Sequence, residues 1–379
     1  MGTNAIAELT AGFEEPFRRL GRDADSDHDA VVISWPSVPI EIIRTAGLRP
    51  VVARGGAEAT PAADAVLEPE LFPNRLHQLV EAALTGRLAH AAAIVLPRTS
   101  DPDYKCFLYL RELQRRGAVG TLPPVLLFDL LQSGGADVPS YDAGRTKELL
   151  AKLVQISQRR PSDDDLRDAI GAANTARAAA RRLDSLRRPE PRVGGLEALP
   201  LLGAFWQLDP ERYTALANAA ADAIAARAPL IGPRGLLAGV PVDSKALHAA
   251  IEPQGAIVVA EISPFGAAVA GDDIDTARDP VAAIAERYRK SAIDARTAAA
   301  LIEQQIESVL PSVEVAVISL PRDDASFGWD YPRLRRLLER RSLPHAVLGG
   351  DPARPIAASD LRRIAALASA SPRPGALDG

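Results

Sequence analysis

Residues Val31 to Val52 constrain the fold more than any other stretch. Val31 to Ile33 is an apolar, β-branched run, and Trp35-Pro36-Ser37 interrupts it. Pro39 suits a first helical position, where the missing N–H is not needed. Glu41 falls in the first turn, where a carboxylate favours the helix dipole. Gly47 stands where a left-handed residue ends a helix, and Arg49 to Val52 begins a second strand. A strand–helix–strand unit this short implies parallel strands. It puts Ser37 and Glu41 at the carboxyl edge of the sheet, where open α/β folds bind ligands.

The same rhythm continues. Arg75 to Leu84 has helical spacing and stops at Gly86; Ala91 to Leu96 is a strand ending in Pro97-Arg98-Thr99-Ser100-Asp101. Tyr104 to Leu113 is amphipathic, and Pro124 to Phe128 is another apolar strand. Helices without strands follow, Ala143 to Ser157 and Asp163 to Leu186, the latter preceded by a strong N-cap in Ser162. Pro189 to Pro200 reads as a Pro/Gly linker and Pro210 to Arg227 as one more helix. Alternation returns with strands at Leu236 to Val240, Ala256 to Ala260, Val313 to Leu320 and His345 to Leu348. Helices are expected from Asp243 to Ile251, Pro280 to Arg289, Arg296 to Val309 and Tyr331 to Arg341, the last after a loop from Pro321 to Asp330. The expected architecture is α/β, with two similar doubly wound parallel-sheet domains. They are an N-terminal domain at 1–140 and a C-terminal domain at 231–379, separated by a helical connector at 141–230. A cleft between the strand C-termini is the expected binding region.

Composition removes several function classes. The charge balance, 44 basic against 49 acidic residues, gives no basic footprint for nucleic acid or a membrane surface. No apolar run approaches the ~20 residues of a membrane span, and no signal peptide is visible, so a cytoplasmic protein is expected. A single cysteine, Cys106, excludes internal disulfides and any metal site built from several thiolates of this chain. There is no G-x-G-x-x-G after either first strand, no Walker A motif and no G-x-S-x-G elbow. The five histidines show no metal-ligand pairing, and His77 is expected at a helix surface. Asp272-Asp273 and Asp323-Asp324 fall in loops after strands, either as general acids or bases or as solvated loop acids. The arginines that alternate with leucines on helices are either an anion patch or solvated faces.

Four segments carry a resemblance that covers nearly the whole chain. They are Ser37-Val38-Pro39-Ile40-Glu41 with Ala46-Gly47-Leu48, and Val95 to Asp101 after Leu84-Thr85-Gly86. The others are Ala238 to Pro241 with Ile251-Glu252-Pro253-Gln254-Gly255-Ala256, and Asp279 to Tyr288 with the closing Leu343 to Asp351. In order and spacing they resemble the large subunits of the 2-hydroxyacyl-CoA dehydratase and benzoyl-CoA reductase family. The resemblance implies a heterodimeric enzyme with a [4Fe–4S] cluster in the cleft and an ATP-driven activator that delivers one low-potential electron. The substrate is an acyl-CoA thioester, reduced to a ketyl radical so that its hydroxyl can leave, or ring-reduced in the benzoyl branch.

Cluster ligation in that family rests on cysteine thiolates, and here this sequence departs from it. The cysteine of the family's "T-C-D" motif is Ser100; no cysteine occurs near Leu71 to Arg75 or near Asp323 to Ser326. The expectation is a chain that binds no cluster or other metal of its own and acts as the companion of a cluster-bearing paralogous subunit. Ser37, Glu41, Ser100 and Asp101 are its candidate catalytic residues. Ser37 and Glu41 either contact the acyl group or satisfy the turn and the helix end. The alternatives are a stand-alone acyl-CoA-binding protein and a non-redox enzyme using the same cleft.

Overall fold

A computed structural model of the chain describes residues 2–22, 27–117, 120–132, 134–240, 244–291, 293–321, 326–350 and 356–370. Eight strands form two parallel sheets. The first holds β1 (Ala30–Ile33), β2 (Arg49–Val52), β3 (Ala93–Pro97) and β4 (Val125–Phe128) in the order β2-β1-β3-β4. The second holds β5 (Arg234–Gly239), β6 (Ile257–Glu261), β7 (Val315–Ser319) and β8 (His345–Leu348) in the order β6-β5-β7-β8. Each half therefore repeats one winding, in which chain direction across the sheet reverses at its first strand. That reversal opens a crevice at the carboxyl ends of the first and third strands.

The strands are apolar apart from a few residues at their ends, such as Arg49, Arg234 and Glu261, because both faces are covered. In the first sheet Val31, Ile33, Val52 and Val95 enter one core, while Ala30, Val32, Val51 and Ile94 enter another. The second sheet divides the same way, Leu236, Ala316 and Ile318 against Leu237, Val315 and Val317. Such two-residue alternation results from the pleat.

Local signals explain the helix ends. Helix Ile40–Thr45 stops at Gly47, whose φ of +75° suits glycine. Ser162 begins helix Asp163–Ser185 with a capping box, its Oγ accepting from Asp165 N while Asp165 accepts from Ser162 N at 2.7 Å. At the second sheet's switch point Gly239 (φ +102°) runs so close to β7 that a Cβ there would lie 2.0 Å from the Ser319 carbonyl oxygen.

Several expectations need correction. The N-terminal residues form a helix, Gly2–Glu14, that buries Ala5, Leu9 and Phe13 on helix Pro210–Ala225. The expected linker contains helix Gly195–Gly203, with Pro200 inside it and almost every side chain buried. Phe327 and Trp329 lie in helix Phe327–Arg340 rather than in a preceding loop. Helix Ala246–Ile251 begins after Lys245, and Asp243, expected to cap it, lies outside the described residues. His77 is buried and its Nδ1 sits 2.7 Å from Asp64, because the loop 60–67 folds over its helix.

The connector helices Val138–Ser157, Asp163–Ser185 and Pro210–Ala225 share one core with the first sheet and with helix Pro280–Ser291 of the C-terminal half. They fix the two sheets in position, and with them the crevice at the first sheet's carboxyl edge.

Candidate functional site

The crevice of the first sheet is lined by the segments that leave β1 and β3. Beyond Ile33 the chain continues through Ser34 and Trp35; beyond Pro97 it passes Arg98, Thr99 and Ser100 before helix Asp101–Arg115. Asp103, one turn into that helix and fully buried, gathers these segments. Arg75 donates to both its carboxylate oxygens at 2.9 Å, Ser34 Oγ donates at 2.8 Å and Ser100 Oγ at 2.5 Å. Thr99 Oγ1 adds a weaker contact at 3.3 Å, and Asp103 N donates back to Ser100 Oγ as the helix N-cap bond. The Arg75 guanidinium also lies 4.7 Å from the Trp35 ring centre. A charge as deeply buried as Asp103 is tolerable only when paired and hydrogen-bonded this completely.

The C-terminal half closes over this edge. Trp35 Nε1 donates to the Ile293 carbonyl at 2.9 Å, and its ring meets Phe265 edge-on. Arg296 reaches back to the Arg98 carbonyl and to Asp129 Oδ1 at 3.3 Å. Between these contacts sits Asp294. Its Oδ1 accepts from Arg296 N at 2.7 Å, while Oδ2 is buried with no hydrogen-bond partner among the described residues. Burial, aided by the nearby Asp103 charge, pushes the Asp294 carboxyl up to about 6.

The four sequence candidates occupy different situations. Ser100 belongs to the Asp103 hub. Asp101 stands exposed in the helix's first turn, where its charge complements the dipole. Ser37 is buried; its N donates to the Trp35 carbonyl, and its Oγ has no partner among the described residues. Glu41 is fully buried, with one oxygen ion-paired to Arg177 and the other accepting from Tyr288 Oη at 3.0 Å. Tyr288 Oη in turn accepts from Ile40 N at 3.1 Å. Glu41 thereby ties the opening unit to helix Asp163–Ser185 and to helix Pro280–Ser291. Burial opposes the Arg177 charge, but the Glu41 carboxylate outweighs it and holds the guanidinium above its ordinary range. Of the loop acids, Asp273 pairs with Arg181 at 3.0 Å, while Asp323 and Asp324 lie outside the described residues.

Sequence reasoning does not single out Arg75, Asp103, Asp294 or Arg296. The spacing Ser100-x-x-Asp103 is a readable capping signal, but nothing local links Asp103 to Arg75, 28 positions away.

The residues at this edge do not suit an iron–sulfur cluster. Ser100 stands where the resemblance implies one ligand, Arg75 closes the Leu71 to Arg75 stretch near which another is implied, and both are committed to Asp103. Of the third region only Ser326 is described. Cys106 faces the opposite core, where burial holds its thiol well above the ordinary range and against the thiolate form a metal needs. Among the described residues no group of three or more His, Cys, Asp or Glu side chains is arranged to hold a metal ion.

Two parallel four-stranded domains meeting over a polar strand edge define a two-domain α/β protein with its candidate site at a topological switch point. The sequence matches the family described as 2-hydroxyglutaryl-CoA dehydratase, D-component, over residues 37–368, and the chain belongs to that family. No curated protein matches it closely enough to count as a relative. No helix among the described residues is long and apolar enough to cross a membrane.

Proposed function

We propose that this D-component-type chain is the cluster-free companion of a [4Fe–4S]-bearing paralogous subunit, in a lyase complex acting on a 2-hydroxyacyl-CoA thioester. The observation that carries the proposal is the Arg75–Asp103–Ser100 hub, in which the serine at the family's cysteine position is bound into a closed ion pair. The paralogue supplies the redox centre, and an ATP-dependent activator supplies it with electrons. In this chain Glu41 acts as a positioning residue through Arg177 and Tyr288, and Ser37, Ser100 and Asp101 are the groups nearest the crevice from the strand-end loops.

A second reading has its own support. Asp294 is a buried carboxylic acid with one oxygen unpartnered among the described residues, at the domain junction, a setting in which acid–base catalysis proceeds without iron. That reading makes the chain a non-redox enzyme acting on a thioester in the same crevice.

Coexpression with a neighbouring cysteine-rich paralogue and its activator, then assay over a panel of 2-hydroxyacyl-CoA thioesters, separates the two. The companion reading expects a copurifying complex whose dehydration requires both subunits, ATP and a reductant. Turnover by the chain alone in air, lost in Asp294→Asn, supports the second reading and contradicts the first.

A further inference from the structure

A cavity lies at the end of β2. It is a partly open space of about 330 Å3 between the loop after β2, the N-terminal helices and the start of helix Ala246–Ile251 in the C-terminal half. Four cations border it, Arg18, Arg54, Arg87 and Lys245, against two carboxylates, Glu14 and Glu58. Lys245 is ion-paired with Glu14, and Arg87 stands 4.0 Å from Glu58 while donating to the Phe17 carbonyl at 3.1 Å. The lining as a whole is therefore positively charged.

Arg54 is held in place. It is only 8% exposed and lies over the Phe13 ring, 3.4 Å from its centre, with Phe265 at 5.1 Å. Stacked and desolvated, it attracts an anion more strongly than a solvated arginine does. The loop carrying it is pinned by the helix Asn74–Leu84. Gly56 N donates to Asn74 Oδ1 at 2.7 Å, and Gln78 Nε2 donates to the Glu58 carbonyl at 2.7 Å. Gly55 and Gly56 place no side chain over the cavity, and a Cβ built at Gly56 would stand 4.0 Å from Arg18 Nη2. Planar guanidinium forks with five donors each suit the oxygens of a phosphate group.

We propose that this cavity is a binding site for a phosphate-bearing anion, held by Arg18, Arg54, Arg87 and Lys245 across the junction of the two halves. The proposal does not depend on the cluster-free reading, since it involves neither the Asp103 hub nor iron. The phosphoryl group comes either from a free phosphate compound or from the phosphates of a larger carrier.

Calorimetric titration of the full chain with pyrophosphate at low ionic strength tests it, with coenzyme A as a second arm. Saturable binding is expected, weakened about tenfold or more in Arg18→Gln/Lys245→Gln and further as salt is raised. Gly56→Asp, which leaves every cation in place and whose backbone is unstrained, sets a carboxylate beside Arg18 and is expected to weaken binding similarly. Coenzyme A binding that falls in parallel identifies a carrier phosphate as the source; pyrophosphate binding alone identifies a free phosphate compound. Absence of pyrophosphate binding, or binding unchanged in both variants, overturns the proposal.

Discussion

The two halves of this molecule share one strand order and place their buried arginine–carboxylate pairs differently. In the N-terminal half the edge between β1 and β3 carries Ser34, Trp35, Thr99 and Ser100, gathered around Asp103 and Arg75. In the C-terminal half Gly239 passes against Ser319 too tightly for a Cβ at that position, and the segments beyond, 241–243 and 322–325, lie outside the described residues. That half keeps its own buried arginine–carboxylate pair, Arg187 with Glu261, at the end of the edge strand β6. There Arg187 also donates to the Val258 carbonyl at 3.2 Å. Burial alone would raise the Glu261 carboxyl, yet the Arg187 charge holds it well below the usual range. The pair fastens the connector to the sheet. A repeated topology thus carries one such pair at a switch point and the other at an outer strand, where it attaches the connector.

The comparison can be broken by substitution. Asp103→Ala leaves Arg75 buried without its carboxylate and removes the acceptor of three strand-end hydroxyls. It is expected to cost about 3–5 kcal/mol in chemical denaturation. A loss under about 1 kcal/mol would mean that water reaches this edge and that the hub is not closed.

Glu261→Gln is expected to cost somewhat less, about 3 kcal/mol, because the amide still accepts from Arg187. Thermal melting with the connector probed by hydrogen exchange checks this. Exposure confined to the 186–203 region and β6 fits an attachment role, and loss of protection at β1 and β3 does not.

The third test is pH. The Asp294 carboxyl sits at about 6 when folded, above its ordinary value of 3.8. The folded state therefore binds this proton more tightly than the unfolded chain. The resulting stabilisation is complete below about pH 4 and disappears as pH rises through about 6. Asp294→Asn should match the wild type near pH 4 and exceed it by about 2–3 kcal/mol at pH 8, as measured by urea denaturation. Equal pH dependence of the two proteins would remove Asp294 from the junction's electrostatics.

The smallest effect belongs to the connector. Ser162→Ala removes one half of a capping box on a 23-residue helix and is expected to cost about 1 kcal/mol. A cost above about 3 kcal/mol, beyond what a cap supplies, would show that the helix start bears on the junction itself.

Much of the architecture is legible in the sequence because its signals are local. The Val31–Val52 unit, Gly47 and the Ser162 cap each depend on residues within a few positions of one another, and the strand runs are apolar enough to mark both sheets. The errors have physical causes. Pro200 points to a linker, but the helix Gly195–Gly203 buries all of its residues except Leu196 and Glu197, and its packing outweighs the cost of an internal proline. The aromatic residues around Trp329 point to a loop, although Ser326 precedes a helix that tolerates Pro332 in its early turns. The candidate site is visible only as a location. Ser37, Glu41, Ser100 and Asp101 fall on the strand-end segments, but Glu41 finds Arg177 136 residues away. Long-range pairs of this kind, Arg75 with Asp103 among them, leave no periodic trace in a single sequence.

The most direct test of the central claim is the iron and acid-labile sulfide content of the chain, purified anaerobically alone and with any co-encoded cysteine-rich paralogue. The account predicts no iron on the chain alone and about four irons and four sulfides per complex, carried by the paralogue. About four irons on this chain by itself would contradict it and assign the cluster to ligands other than cysteine.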